Sequence, residues 1–424
     1  MAQKDKNAWL WIPTLYFTQG IPYILVVTVS VIMYKRLGIG NAEIGLYTSW
    51  LYLPWVIKPL WSPLVDLNGT KRKWFLSMQL LISLAFLGIG IFLPSNSFFT
   101  ISLAFFWMVA FASATNDIAS DGYYMIGLTQ KKQSFFIGLR STFYRLAMVT
   151  GQGLLVIFAG FLEQKYGDNT KAWSLTMICA SILMLAMTVS NFFATPKFEV
   201  SKTEKQEKPA GFLEVFISFF KKKQIGIALL FILTYRLGES QLVKMASPFL
   251  LDKLEVGGLG YTTEAVGTIY GTVGVIMLSL GGILGGILIS RDGLKKWMFP
   301  MLLALNLPNA LYALLAITQT TSIIAVTGTV ILEQFGYGFG FAAFLIYLIY
   351  VADGVSKTSH YAIATGFMAL GMMLPGMLSG YIQEWLNYDG FFIWVVIAAF
   401  PAFIVLKYLK YPAEYGKKSI EKDA

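Results

Sequence analysis

Charge is what this sequence has least of. Of its 424 residues, 13% are Asp, Glu, Lys or Arg, about half the share found in soluble domains. A chain this long with so few charges cannot coat a water-exposed globule, so lipid must be its main solvent. Cysteine occurs once, at Cys179 inside an apolar run, which excludes an intramolecular disulfide. Histidine also occurs once, at His360. A His/Cys metal centre is therefore excluded, and a Ser-His-Asp triad would have to use His360 alone. What the chain has in abundance is apolar sequence, 56% of residues, with a mean hydropathy of +0.63. The net charge of +10 gathers in short connectors, where membrane topology explains it better than affinity for nucleic acid.

A helix that crosses a bilayer needs about 20 mostly apolar residues. Runs of that kind predict about twelve spans in an all-α integral membrane protein. They fall near 8–34, 42–65, 73–93, 98–127, 133–163, 171–194, 224–253, 261–290, 295–318, 322–354, 358–386 and 389–410. Lys4 and Lys6 ahead of Trp9 look like the start of a signal peptide, but the apolar run continues to about Met33 without a small-residue cleavage site. It reads as a retained first span. The stretch Thr195–Gly211 is polar and lysine-rich; apolar Phe212–Phe220 and then Lys221, Lys222 and Lys223 follow. These features divide the chain into a six-span bundle over 1–194, a cytoplasmic linker with a short interfacial helix over 195–223, and a second six-span bundle with a tail over 224–424. Basic residues crowd the even connectors and both tails, including Lys71, Arg72, Lys73, Lys131, Lys132, Arg291, Lys295 and Lys296. The odd connectors carry only Lys35, Arg36, Lys165, Lys171 and Lys253. The positive-inside rule then predicts both termini in the cytoplasm, while Lys35 and Arg36 break the rule without an evident reason.

The two halves repeat. Gly20, Ala42-Glu43-Ile44-Gly45, Asp66 and Lys73-Trp74 recur as Gly238, Glu264-Ala265-Val266-Gly267, Asp292 and Lys296-Trp297, at an offset of about 220. Both halves have the same number of spans and the same orientation. Such parallel six-span repeats are the major facilitator architecture.

A charge inside a span costs roughly 2.5–3.5 kcal/mol on insertion scales, so each one faces a cavity or a partner. The cations are Lys58, Arg140, Arg145, Arg236 and Lys244; the anions are Asp117, Asp121, Glu239 and Glu333. Lys58, Arg145, Arg236 and Glu333 fall within about 8 Å of the midplane, and Gln19 lies at similar depth. Asp117 and Asp121 are four apart and share a helix face, whereas Arg236 and Glu239, three apart, are spaced to pair. Arg140 and Arg145 point in different directions. Buried carboxylates are suited to carry a proton, and midplane cations to hold an anionic substrate or such a carboxylate. One expected network joins Asp117, Asp121 and Arg145. The competing reading is fixed internal salt bridges that lock helices. Lys244 and Arg140 are expected to snorkel toward an interface. Asp66 and Asp292, at span ends beside basic runs, read equally as solvated loop residues or as gate contacts. Tyr23, Trp50, Trp55, Trp61, Trp107, Tyr144, Tyr235 and Tyr337 offer faces for a sugar ring, although packing is the commoner use of aromatics in membranes. Gly336, Gly338 and Gly340 allow close helix approach or local unwinding.

At these residues the sequence resembles the AmpG-like permeases of the major facilitator superfamily, a group related to acetyl-CoA transporters. The likeness lies in Lys58-Pro59-Leu60-Trp61-Ser62-Pro63 with Asp66, in Asn116-Asp117-Ile118-Ala119-Ser120-Asp121, in Tyr144-Arg145-Leu146, in Tyr235-Arg236-Leu237-Gly238-Glu239, and in Glu333-Gln334-Phe335 with Gly338-Phe339-Gly340. The resemblance implies a transporter of the inner membrane, not an enzyme. It implies import of N-acetylglucosaminyl-anhydromuramyl peptides, carried with protons and no other cofactor. Relatives that carry siderophores or acetyl-CoA make an anionic-metabolite permease the alternative. It also implies that spans 1, 4, 7 and 10 line the cavity. The expected substrate-binding set is Gln19, Tyr23, Lys58, Asn116, Arg145, Arg236 and Glu333. Asp117, Asp121 and Glu239 are expected to couple protons, and Asp66 and Asp292 to gate. The expected partners are a small glycopeptide and membrane lipid, with no nucleic acid, and the working unit is a monomer.

Overall fold

A computed structural model describes residues 8–67, 69–128, 130–197, 212–354 and 357–417. Residues 198–211 of the expected linker lie outside the described residues. Every regular element among the described residues is helical, and ten stretches are long and apolar enough to cross a bilayer. Span 1 is Ala8–Arg36, span 3 Lys71–Phe92, span 4 Phe98–Gly127, span 5 Gly138–Tyr166 and span 6 Asn169–Ala194. Span 7 is Ile225–Leu251, span 8 Thr263–Asp292, span 9 Leu294–Thr318 and span 10 Ile323–Ala352. The tenth stretch, Ser359–Leu406, has 48 residues, twice what one crossing needs. Asn387, at φ 57°, divides it into spans 11 and 12.

Span 2 is not a continuous helix. It runs as Asn41–Trp50, Leu53–Ile57, a tight 3-10 turn Lys58–Leu60, and Ser62–Leu67. The prolines explain this. Pro54 and Pro59 lack the N–H that a helix would bond to the carbonyls of Trp50 and Trp55, and their rings crowd those carbonyls. With span 2 added and Ser359–Leu406 counted twice, the crossings number twelve. A nine-residue helix, Phe212–Phe220, precedes span 7.

The chain packs as two compact units. One comprises Met1–Gly40, Trp50–Gln206 and Thr262–Thr272; the other comprises Asn41–Ser49, Glu207–Tyr261 and Val273–Ala424. In the first unit span 3 packs along spans 4 and 6, and span 1 along span 5. Its aromatic core holds Trp11 edge-on to Tyr123, with ring centroids 5.1 Å apart. Residues 262–272 lie so close to span 5 that no side chain fits between them. A Cβ on Gly267 would come 2.8 Å from the Ile157 nitrogen, and Cβ atoms on Gly160 and Gly271 would strike the Glu264 and Gln152 backbones.

The second unit is built the same way. Asn41–Ser49 lies against span 11, where a Cβ on Gly45 would come 2.9 Å from the Gly380 nitrogen and one on Gly376 2.6 Å from Ser49 Oγ. Span 10 stays helical through Gly336, Gly338 and Gly340, so these glycines serve close approach and not unwinding. Gly336 and Gly340 face the span 9 backbone at Ala304 and Met301, and Gly338 faces span 8 at Leu278. Tyr235 stacks flat on Phe344 at 4.5 Å and donates to the Gly340 carbonyl at 2.8 Å. Its ring is thus used for packing.

The Gly380 seam gives a direct test. In a Cys179→Ser background, a cysteine replacing the buried Ser49 is expected to resist maleimide. Adding Gly380→Leu overpacks the seam by about 1–3 kcal/mol and should raise the labelling rate about tenfold or more. Unchanged protection would show that the seam tolerates a side chain.

Candidate functional site

In the first unit, four spans (1, 2, 4 and 5) bring a polar cluster together. Asp117, in span 4, accepts from Trp55 Nε1 at 3.1 Å and lies 3.7 Å from Lys58 Nζ. The Gln19 side chain also hydrogen-bonds to Asp117; its Oε1 is buried without a partner among the described residues. The proline-broken middle of span 2 is what turns both Trp55 and Lys58 toward span 4. One helical turn further along span 4, Asp121 Oδ1 accepts from Arg140 Nη2 at 2.8 Å and from the Tyr16 hydroxyl at 3.2 Å. The Arg140 guanidinium lies over the Tyr16 ring at 4.4 Å. Tyr23 meets Trp55 edge-on at 5.3 Å.

The second unit carries the other cluster. Span 7 is interrupted between Thr234 and Leu237. At this break Arg236 turns to donate to Glu239 Oε2 at 2.8 Å and to the Tyr337 hydroxyl at 2.6 Å, with its guanidinium 5.0 Å from the Phe341 ring centroid. Glu239 is fully buried, and its Oε1 has no hydrogen-bond partner among the described residues. Glu333 is also buried. It accepts from Gln334 Nε2 at 3.1 and 3.0 Å and from the Tyr312 hydroxyl at 3.4 Å.

Several expectations change. The network expected to join Asp117, Asp121 and Arg145 uses Arg140 instead, because the rotation of span 5 points Arg140 at span 4. Arg145 stays apart, with Nη1 buried and unbonded among the described residues. Arg140 and Lys244 do not snorkel. Lys244 is 2% exposed and donates to Thr48 Oγ1 at 3.0 Å, because the Asn41–Ser49 segment lies directly over it. Asn116 is fully buried, turned about 100° around span 4 from Asp117, where Gln79 Nε2 donates to its Oδ1 at 3.2 Å; Gln79 in turn accepts from Asn191. Asp66 belongs to the helix Ser62–Leu67, and its side chain lies outside the described residues. Asp292 accepts from Trp297 Nε1 at 3.0 Å and pairs with Arg291 and Lys296 at 2.9 and 3.2 Å. The basic run beside it therefore holds it locally. His360 is buried, with Nε2 2.9 Å from Ser218 Oγ.

Sequence reasoning missed two polar clasps. In the first unit, Glu163 receives Arg36 at 3.0 Å, Trp173 Nε1 at 2.8 Å and Thr263 Oγ1 at 2.6 Å. This answers the misplaced Arg36, whose partner is 127 residues away. In the second unit, Asn41 donates to Gln383 at 2.6 Å and to the Tyr388 hydroxyl at 2.9 Å. Glu384 accepts from the Ala42 amide at 2.9 Å, and Tyr388 donates to Asp252 at 2.7 Å. Glu163-Gln164 and Gln383-Glu384 stand 220 residues apart, the offset of the internal repeat, and that was the available signal.

Residues 14–360 match the family model described as Major Facilitator Superfamily. The chain is 26% identical over 423 residues to the anhydromuropeptide permease of Escherichia coli strain K12, covering 98% of this chain and 82% of that protein. Among solved structures it resembles the nucleoside transporter NupG, with a TM-score of 0.73 at 18% identity over 96% of this chain and all of that one. It also resembles a bacterial homologue of the human lysosomal transporter Spinster, with a TM-score of 0.67 at 16% identity, covering 95% and 98% of the two chains. At these identities the two structures show the shared fold.

The pair in span 7 makes a stability prediction. Arg236→Met leaves Glu239 buried without its cation and should cost about 3–5 kcal/mol, whereas Arg236→Met with Glu239→Leu removes both charges and should recover most of the loss. Thermal unfolding of the purified variants in detergent checks this. Equal destabilisation of single and double variants would mean that the pair is not coupled.

Proposed function

The chain belongs to the major facilitator superfamily, and we propose that it imports cell-wall muropeptides across the inner membrane together with protons. The cargo rests on full-length similarity to a protein named anhydromuropeptide permease. The coupling rests on one observation above the others, the pair between Asp121 and Arg140 at 2.8 Å, with each side chain 34% exposed. An acid that water reaches, held by a cation beneath aromatic rings, is suited to alternate between two states. When Asp121 is charged it holds Arg140. When a proton arrives on its carboxylate the ion pair is lost, and Arg140 is released to an anionic group such as a cargo carboxylate.

Lys58 and Asp117, at 3.7 Å, form a second and looser pair of the same kind. Gln19 and Tyr23 lie beside it, an amide and an aromatic face suited to a sugar. Arg145, with an unbonded buried nitrogen, is a further anchor for a peptide carboxylate. In the second unit Arg236, Glu239 and Glu333 are a separate buried polar cluster. Asp66 and Asp292 remain the gate residues of this reading, and the bundles move in alternating access. The basic bias of the even connectors supports cytoplasmic termini. Transport without covalent change fits side chains arranged as ion pairs, not as a nucleophile beside a base.

The test separates transport from coupling. Proteoliposomes holding the wild-type protein should accumulate radiolabelled anhydromuropeptide when a pH gradient is imposed. Asp121→Asn should lose gradient-driven accumulation by about tenfold or more, a change of over 1.4 kcal/mol, while keeping exchange of labelled for unlabelled cargo. Loss of both activities by folded protein would assign Asp121 to cargo binding instead. Absence of any uptake by folded wild-type protein would sink the muropeptide reading and direct the search to other anionic metabolites.

A further inference from the structure

Away from both clusters, the second unit contains a cavity of about 230 Å³ where span 7 begins and span 10 ends. Its lining is of two kinds. Lys222, Lys223 and Lys410 supply charge, and Ile225, Val351 and Leu409 supply apolar surface. One carboxylate also lines it, that of Asp353, which is already paired with Lys357 at 3.4 Å. The lining therefore has an excess of positive charge.

The three lysines are not equivalent. Lys222 Nζ donates to the Val351 and Asp353 carbonyls at 2.6 and 2.7 Å, the last acceptors of span 10. It thus fixes one side of the cavity by closing the end of a helix. An ammonium has three N–H donors, so one remains for a ligand. Burial pulls the Lys222 pKa below the ordinary lysine value, and Asp353 opposes the shift. A neighbouring anion would favour its charged form further. Lys223 and Lys410 are exposed and make no ion pair among the described residues.

We infer that this cavity binds the headgroup of an anionic phospholipid. The lysines alone would suit any phosphate, and the apolar side decides between the sources. A free phosphate has no use for Ile225, Val351 and Leu409, whereas a phospholipid lays its glycerol and upper acyl chain against them. The start of span 7 packs on Phe400–Leu406, and Leu230 and Ile404, one on each of these helices, are 50% and 57% exposed. These helices therefore carry apolar surface onward from the cavity for the chain to follow. Because the bound lipid bridges the ends of spans 7, 10 and 12, it ties together the segment that leads to the Arg236 break.

Native mass spectrometry tests the assignment. Wild-type protein in detergent is offered equal amounts of phosphatidylglycerol and phosphatidylcholine, and compared with Lys223→Gln/Lys410→Gln. Lys222 is left intact because its loss would open the end of span 10. Each surface lysine favours an anionic lipid about fivefold, so the double variant should lower the preference for phosphatidylglycerol about 25-fold, to what Lys222 alone supplies. Inorganic phosphate in excess should leave the lipid bound. Equal retention of the two lipids by wild type would overturn the proposal, as would an undiminished preference in a folded double variant. Displacement by phosphate would assign the cavity to a small anion instead, and so would overturn it too.

Discussion

A charge carried into a bilayer must be answered by a charged or polar partner, and this requirement organises both units. The insertion cost of a few kcal/mol per charge is met wherever the chain places an acid and a base on facing helices. Asp121 meets Arg140 across spans 4 and 5, Asp117 meets Lys58 across spans 4 and 2, and Glu239 meets Arg236 inside span 7. The two pairs between spans fix the rotation of the helices that carry them, because a side chain turned away by one residue would lose its partner. The local breaks follow the same logic. Span 2 gives up regular helix at Pro54 and Pro59, and span 7 at Tyr235, next to the residues that must reach a partner.

Much of this was legible in the sequence, and the rest failed for identifiable reasons. Intra-helix spacing is readable, so the Arg236–Glu239 pair and the shared face of Asp117 and Asp121 were within reach. Rotation between neighbouring helices is not. The sequence therefore puts Arg145, not Arg140, in the network with Asp117 and Asp121, although both read as intramembrane cations. Lys244 reads from the sequence as able to snorkel toward an interface; Thr48, 196 residues away, holds it inside instead. Hydropathy found span 2 as one run, while its prolines, visible in the same letters, were not weighed as breaks. Asn387 divides spans 11 and 12 at the place where hydropathy separated them.

The internal repeat carried more than was first taken from it. Its leading halves, Ala42-Glu43-Ile44-Gly45 and Glu264-Ala265-Val266-Gly267, were recognised as matching text. Their partners, Gln383-Glu384 and Glu163-Gln164, looked like ordinary polar residues at span ends. The structure gives all four one purpose. Each leading half starts a helix whose first polar groups are taken up by the matching partner, Asn41 and Ala42 by Gln383 and Glu384, Thr263 by Glu163. Just beyond, glycines let the two backbones touch. The repeat thus preserves a joint, a polar clasp followed by a bare-backbone seam, and not merely a helix. Polar clasps can open and reclose at modest net cost, since water replaces the lost partners. Glycine seams keep the closed form in one register, because a Cβ has no place in them.

The two charged clusters also differ in a way that bears on coupling. Asp121 and Arg140 are each about a third exposed, whereas Arg236 is 8% exposed and Glu239 not at all. A proton carrier must be reachable by water, and its partner must be free to go elsewhere once the charge is cancelled. In the proposed role the first pair meets the first of these conditions, accessibility to water. The second meets neither, since Arg236 is held by Glu239, by the Tyr337 hydroxyl and beneath the Phe341 ring. Such an arrangement better suits a fixed anchor for the unwound turn of span 7. The sequence presents both pairs as intramembrane acids and bases. Burial separates them: one pair is open to water and the other is enclosed.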